Sequence, residues 1–116
     1  MTHAEAIETI IDTLERVQIE PTLFMQGGDL PEVVDGYING FEFACQELGY
    51  IYKTYEVVIA QRGWKRFDDR VELLSQKTGE NMKEGGMSDA EIIHELFAIS
   101  IDCWKITRDG LQPEQQ

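Results

Sequence analysis

Residues 88–110 read SDAEIIHELFAISIDCWKITRDG. Ser88 with Glu91 three residues on is a capping-box start, and Gly110 is a stop. Between them Ile92, Ile93, Leu96, Phe97, Ile99, Ile101, Cys103, Trp104 and Ile106 cover more than half the circumference of a helix. A surface helix has one apolar stripe; a helix apolar on several sides needs neighbours on each of them. The stretch therefore predicts a buried C-terminal helix over about residues 89–108, at the centre of a compact all-α bundle of four to five helices.

The rest of the chain supplies the neighbours. The N-terminal segment opens on Thr2 and Glu5 in capping-box spacing. It continues with Ile7, Ile10, Ile11, Leu14 and Val17 at helical period. Pro21 to Gly28 reads as a connection, because EPTLFMQGGDLPE, residues 20–32, carries two prolines and a Gly-Gly pair; Leu23, Phe24 and Met25 are expected to cover the core edge from within it. A second helix is expected from Asp29 to Gly49, with Leu30, Val34, Tyr37, Phe41, Cys45 and Leu48 as its stripe. Gly36, Gly40 and Ala44 flank that stripe. Two glycines inside a helix cost about 1 kcal/mol each against alanine, and close approach of another helix would account for them.

YIYKTYEVVIA, residues 50–60, is ambiguous. β-branched and aromatic content favours a strand, but Ile51, Tyr55, Val58 and Ile59 fit a helix and a lone strand has no evident partner. The helix is the expectation. Trp64, Phe67, Val71 and Leu74 carry helical spacing on to about Lys77, and Gly79 to Met87 reads as a loop. The whole, residues 1–116, is expected to form one domain with 111–116 as a short tail.

Composition excludes several classes. Hydrophobic content of 42% with 28% charged residues is globular, not disordered. No apolar run approaches the roughly 20 residues of a membrane helix, and the N-terminus lacks a basic-then-apolar secretion pattern. Cys45 and Cys103 both fall in apolar helical patterns, which reads as two buried thiols in a cytoplasmic protein. The net charge of −12 is uneven: residues 1–50 hold ten acids and one base. A surface this acidic repels nucleic acid and anionic membrane and attracts a basic protein surface.

Motifs for chemistry are sparse. There is no Gly-rich phosphate loop, and neither histidine has an evident nucleophile beside it. Glu91 and His94 have Glu-x-x-His spacing, but a dinuclear site needs two such pairs and further carboxylates. No metal, no cofactor and no catalytic residue is assigned. Glu5-x-x-Glu8 and Asp12-x-x-Glu15 have the spacing with which all-helical pyrophosphohydrolases of the MazG type hold magnesium. These pairs lie opposite the apolar stripe, whereas magnesium needs converging carboxylates. Such a metal-dependent nucleotide hydrolase is one alternative. A homodimeric helical adaptor packed through Gly36, Gly40 and Ala44 is another. Arg62, Lys65, Arg66, Arg70 and Lys77 form the only basic cluster, and pairing with the chain's own acidic helices or with a second copy accounts for it better than DNA binding does.

The strongest feature is the carboxylate row Glu5, Glu8, Asp12 and Glu15, whose local sequence holds one base, Arg16. Its members are about 4.5–6 Å apart along a helix axis, a coarse imitation of nucleic-acid charge at about 3.4 Å per phosphate of one strand. The row resembles, as a physical type, the acidic nucleic-acid mimics with which phages block restriction or CRISPR enzymes, and some immunity proteins. It implies an inhibitor that presents Glu5, Glu8, Asp12, Glu15, Asp35 and Glu42 to a basic nucleic-acid-binding protein, with Phe43 as apolar anchor.

Overall fold

In the computed structural model the described residues are 2–50, 55–63 and 74–110. They form five α-helices and one 3₁₀ turn: α1 (His3–Ile19), the turn Pro21–Leu23, α2 (Pro31–Glu47), α3 (Tyr55–Gln61), α4 (Leu74–Glu84) and α5 (Asp89–Asp109). No strand occurs among them.

α5 is the hub and packs against all four other helices. Its start is the expected capping box: Ser88 Oγ accepts from the Glu91 amide at 3.2 Å, and Glu91 Oε1 accepts from the Ser88 amide at 3.0 Å. Phe97, Ile99, Cys103 and Trp104 are wholly buried, so truncating either aromatic to alanine costs about 3–5 kcal/mol. Ile106, in the last turn, is partly exposed.

α1 buries the predicted stripe, and Thr2 Oγ1 caps it by accepting from the Glu5 amide at 3.1 Å. Five residue pairs fix the helix directions. Glu8 meets Arg108 and Gln18 meets the His94 carbonyl, so α1 runs antiparallel to α5. Tyr37 lies against Phe97 and Glu42 against Ser100, so α2 advances along α5 in the same sense. His3 stands edge-on to Tyr50, with ring centroids 5.2 Å apart. The C-terminus of α1 and the N-termini of α2 and α5 therefore share one end of the molecule.

Several expectations are corrected. α2 starts at Pro31, and its N-cap is Leu30 without a side-chain cap bond. Proline fixes the first-turn φ and lacks the amide that Asp29 would have capped. Of the stripe, Leu30 and Leu48 lie exposed at the two ends, while Ile38 is buried. In the connection only Met25 packs on the core; Leu23 and Phe24 are exposed. The expected close approach to Gly36, Gly40 and Ala44 is not made among the described residues. All three are exposed, and a Cβ at either glycine would meet nothing within 4 Å.

The largest correction is at residues 79–87. Helix α4 runs through Gly79 to Glu84 because Met82 is fully buried in the core. Packing at one buried position outweighs the roughly 1 kcal/mol that an internal glycine costs. The stop is Gly86, at φ +91°. The Gly86 amide donates to the Lys83 carbonyl and the Met87 amide to the Met82 carbonyl, a Schellman closure. α3 begins within the ambiguous stretch and is helical, with Val58 and Ile59 buried. Residues 51–54, Trp64, Phe67, Val71 and the tail 111–116 lie outside the described residues.

Candidate functional site

At about 100° per residue, a helix that turns Ile7, Ile10, Leu14 and Val17 to the core turns Glu5, Glu8, Asp12 and Glu15 outward. Glu5, Asp12 and Glu15 are exposed, and none of the three forms an ion pair among the described residues. From Glu5 to Glu15 the row spans about 15 Å of helix axis. Thr9 and Thr13 stand beside it and bond backward, to the Glu5 carbonyl at 3.1 Å and the Thr9 carbonyl at 2.7 Å.

Glu8 differs from its neighbours. It is paired with Arg108 Nη1 from the last turn of α5, while Arg108 Nε donates to Asp109 Oδ1 at 2.9 Å. Ala4, Glu5, Glu8, Arg108 and Asp109 line an open hollow there. This pairing was invisible locally, since its partners are 100 residues apart. Only the antiparallel packing of α1 on α5 reveals it.

The acids expected on α2 make hydrogen bonds within the fold. Asp35 is half-buried and accepts from Asn39 Nδ2 at 3.4 Å. Glu42 turns toward α5 and accepts from the buried Ser100 hydroxyl at 2.8 Å. Phe43 is 64% exposed. It stands three residues past Gly40 and seven past Gly36, on the outward face of α2.

The basic cluster is internally paired where it is described. Arg62 Nε donates to Glu95 Oε1 at 2.8 Å, and Nη1 donates to Asp102 Oδ2 at 2.5 Å. Lys65, Arg66, Arg70 and the side chain of Lys77 lie outside the described residues. Glu91 is held in the capping box and His94 is exposed. Among the described residues no group of three or more His, Cys, Asp and Glu is placed to hold a metal ion. Cys45 and Cys103 are buried thiols that form no disulfide. Burial, then the charge of Glu42, raises the Cys45 thiol pKa above its ordinary range, which suppresses the reactive thiolate. No helix among the described residues is long and apolar enough to cross a membrane.

No family model, curated protein or solved structure matches this chain. Its function is read from the chemistry of its own surface.

Proposed function

We propose that this protein is a non-enzymatic inhibitor that binds a basic, nucleic-acid-contacting surface of another protein through the outward face of α1. The observation that carries the reading is the row itself. Glu5, Asp12 and Glu15 stand exposed on one rigid helix face, with no ion pair among the described residues to neutralise them. A pre-formed row of like charge steers a basic partner into encounter and competes with the phosphates that partner normally holds. Glu8 belongs to the same face but is half-neutralised by Arg108, so Asp12 and Glu15 are the residues to alter.

The test is a pull-down from host lysate with wild type and with the double variant Asp12→Lys/Glu15→Lys, at low and high salt, with and without duplex DNA. A nucleic-acid-binding protein retained by wild type, displaced by DNA and lost in the folded variant supports the reading. Equal retention by wild type and variant overturns it.

A second reading is favoured by α2. Gly36, Gly40 and Ala44 present bare helix surface beside the exposed Phe43, a surface suited to close helix packing with a second copy. It predicts a homodimer through α2, and the molecular mass in solution decides it.

A further inference from the structure

The acidic face of α1 does not end at Glu15. Ile19 lies four residues past Glu15 and seven past Asp12, which places it on the same face, and it is 82% exposed. Beyond it the chain winds tightly. The Leu23 amide donates to the Glu20 carbonyl at 3.1 Å and the Phe24 amide to the Pro21 carbonyl at 3.0 Å. Gly28 closes the connection from the other side: a Cβ there would lie 2.7 Å from the Pro21 carbonyl carbon. This compact connection holds Leu23, Phe24 and Leu30 outward. With Ile19 they are four of the eight large apolar side chains exposed among the described residues.

The surrounding charge selects what covers them. Residues 15–32 carry Glu15, Glu20, Asp29 and Glu32 against Arg16 alone, and all four acids are exposed. An apolar patch bordered this way repels a second copy of itself, nucleic acid and anionic lipid. It complements apolar side chains flanked by lysine or arginine.

We infer that Ile19, Leu23, Phe24 and Leu30 are the apolar anchor of the interface whose charged part is the α1 row, and that the partner presents a basic amphipathic element to them. The inference rests on the proposed function and deepens it. Exposed charges set encounter rate and orientation, while desolvated apolar contacts near the centre of an interface set its lifetime. The anchor thereby moves from Phe43, on the outward face of α2, to the end of the acidic row, where Ile19 follows Glu15 by four residues on the same helix face.

The probe is a fluorescent synthetic helix of leucine and lysine in amphipathic order. Controls are the same composition scrambled, the leucine–glutamate counterpart, and phosphatidylcholine vesicles. Three folded variants are compared by anisotropy with wild type: Leu23→Ser/Phe24→Ser, Asp12→Lys/Glu15→Lys and Phe43→Ser. The inference expects the ordered basic helix to bind at least tenfold tighter than its scrambled form. It expects Leu23→Ser/Phe24→Ser to lose at least tenfold in affinity at both low and high salt, with Phe43→Ser unchanged. Full binding by the serine double variant overturns the anchor, and a simultaneous loss in Asp12→Lys/Glu15→Lys would leave the proposed function standing. Full binding by both double variants overturns the two together. Capture of the vesicles that is abolished by the serine substitutions assigns the patch to lipid and overturns the inference.

Discussion

Ser100, buried in the middle of α5, donates its hydroxyl hydrogen to Glu42 of α2 at 2.8 Å. This bond ties the hub helix to α2 through a carboxylate that the sequence pattern places on an outward polar face. Ser100→Ala removes the donor but installs a better helix former, so it should cost about 1 kcal/mol or less. In Glu42→Ala the serine turns to the Leu96 carbonyl four residues back, which keeps the loss in the same range. Urea unfolding of both single variants and the double should show a coupling of about 1 kcal/mol. Strict additivity would mean that the bond contributes nothing.

Arg62 joins α3 to two carboxylates one heptad apart on α5, Glu95 and Asp102. An isolated exposed pair contributes about 0–1 kcal/mol. Here one guanidinium separates two acids that would otherwise repel. Arg62→Ala should therefore destabilise by about 1 kcal/mol, more than Arg108→Ala, where the acids are more exposed. Arg62→Lys should restore only part of the loss, because an ammonium cannot bridge both carboxylates with the guanidinium's fixed fork. Urea midpoints at two salt concentrations check the ranking, and the gap should narrow as salt rises.

The hub helix was legible because its signals agree: a capping box, apolar residues over more than half its circumference and a terminal glycine. α1 was legible for the same reason. Residues 79–87 were not, because Gly79 is a local breaker while the contact that overrides it, burial of Met82, belongs to tertiary structure. The candidate site was half legible. Helical spacing puts Glu5, Asp12 and Glu15 on one face, but no spacing rule assigns Arg108 to Glu8 or Ser100 to Glu42. The exposure of Ile19, Leu23 and Phe24 was also hidden, since apolar residues beside a core helix read by default as cover for it.

The α5 capping box makes stability depend on pH with a definite sign. The hydrogen bond from the Ser88 amide, then that involving the Ser88 side chain, lowers the Glu91 carboxyl pKa below its ordinary value. Its folded pKa therefore lies below its unfolded one, so its contribution is present above the ordinary carboxylate range and is lost as pH falls through the folded value. Glu91→Ala should be destabilised relative to wild type at neutral pH, and the two unfolding midpoints should converge in acid. Ser88→Ala should cost about 1 kcal/mol at neutral pH.

The glycines separate a bare monomer surface from a packing surface. A Cβ at Gly36, Gly40 or Gly79 meets nothing within 4 Å, so each alanine substitution should stabilise the folded chain by about 0.5–1 kcal/mol. Gly28→Ala should do the opposite, because its Cβ would press on Pro21 and Thr22 backbone that cannot swing aside. Gly79→Ala reports helix propensity alone and serves as the reference. If α2 packs closely on a second copy, Gly40→Leu dissociates the dimer, and Gly36→Ala and Gly40→Ala lose stability where Gly79→Ala gains it. If α2 faces solvent, all three alanines gain alike and the mass in solution stays that of one chain. Thermal unfolding at two protein concentrations, with light scattering on the same samples, distinguishes the cases, because only a dimer has a midpoint that rises with concentration.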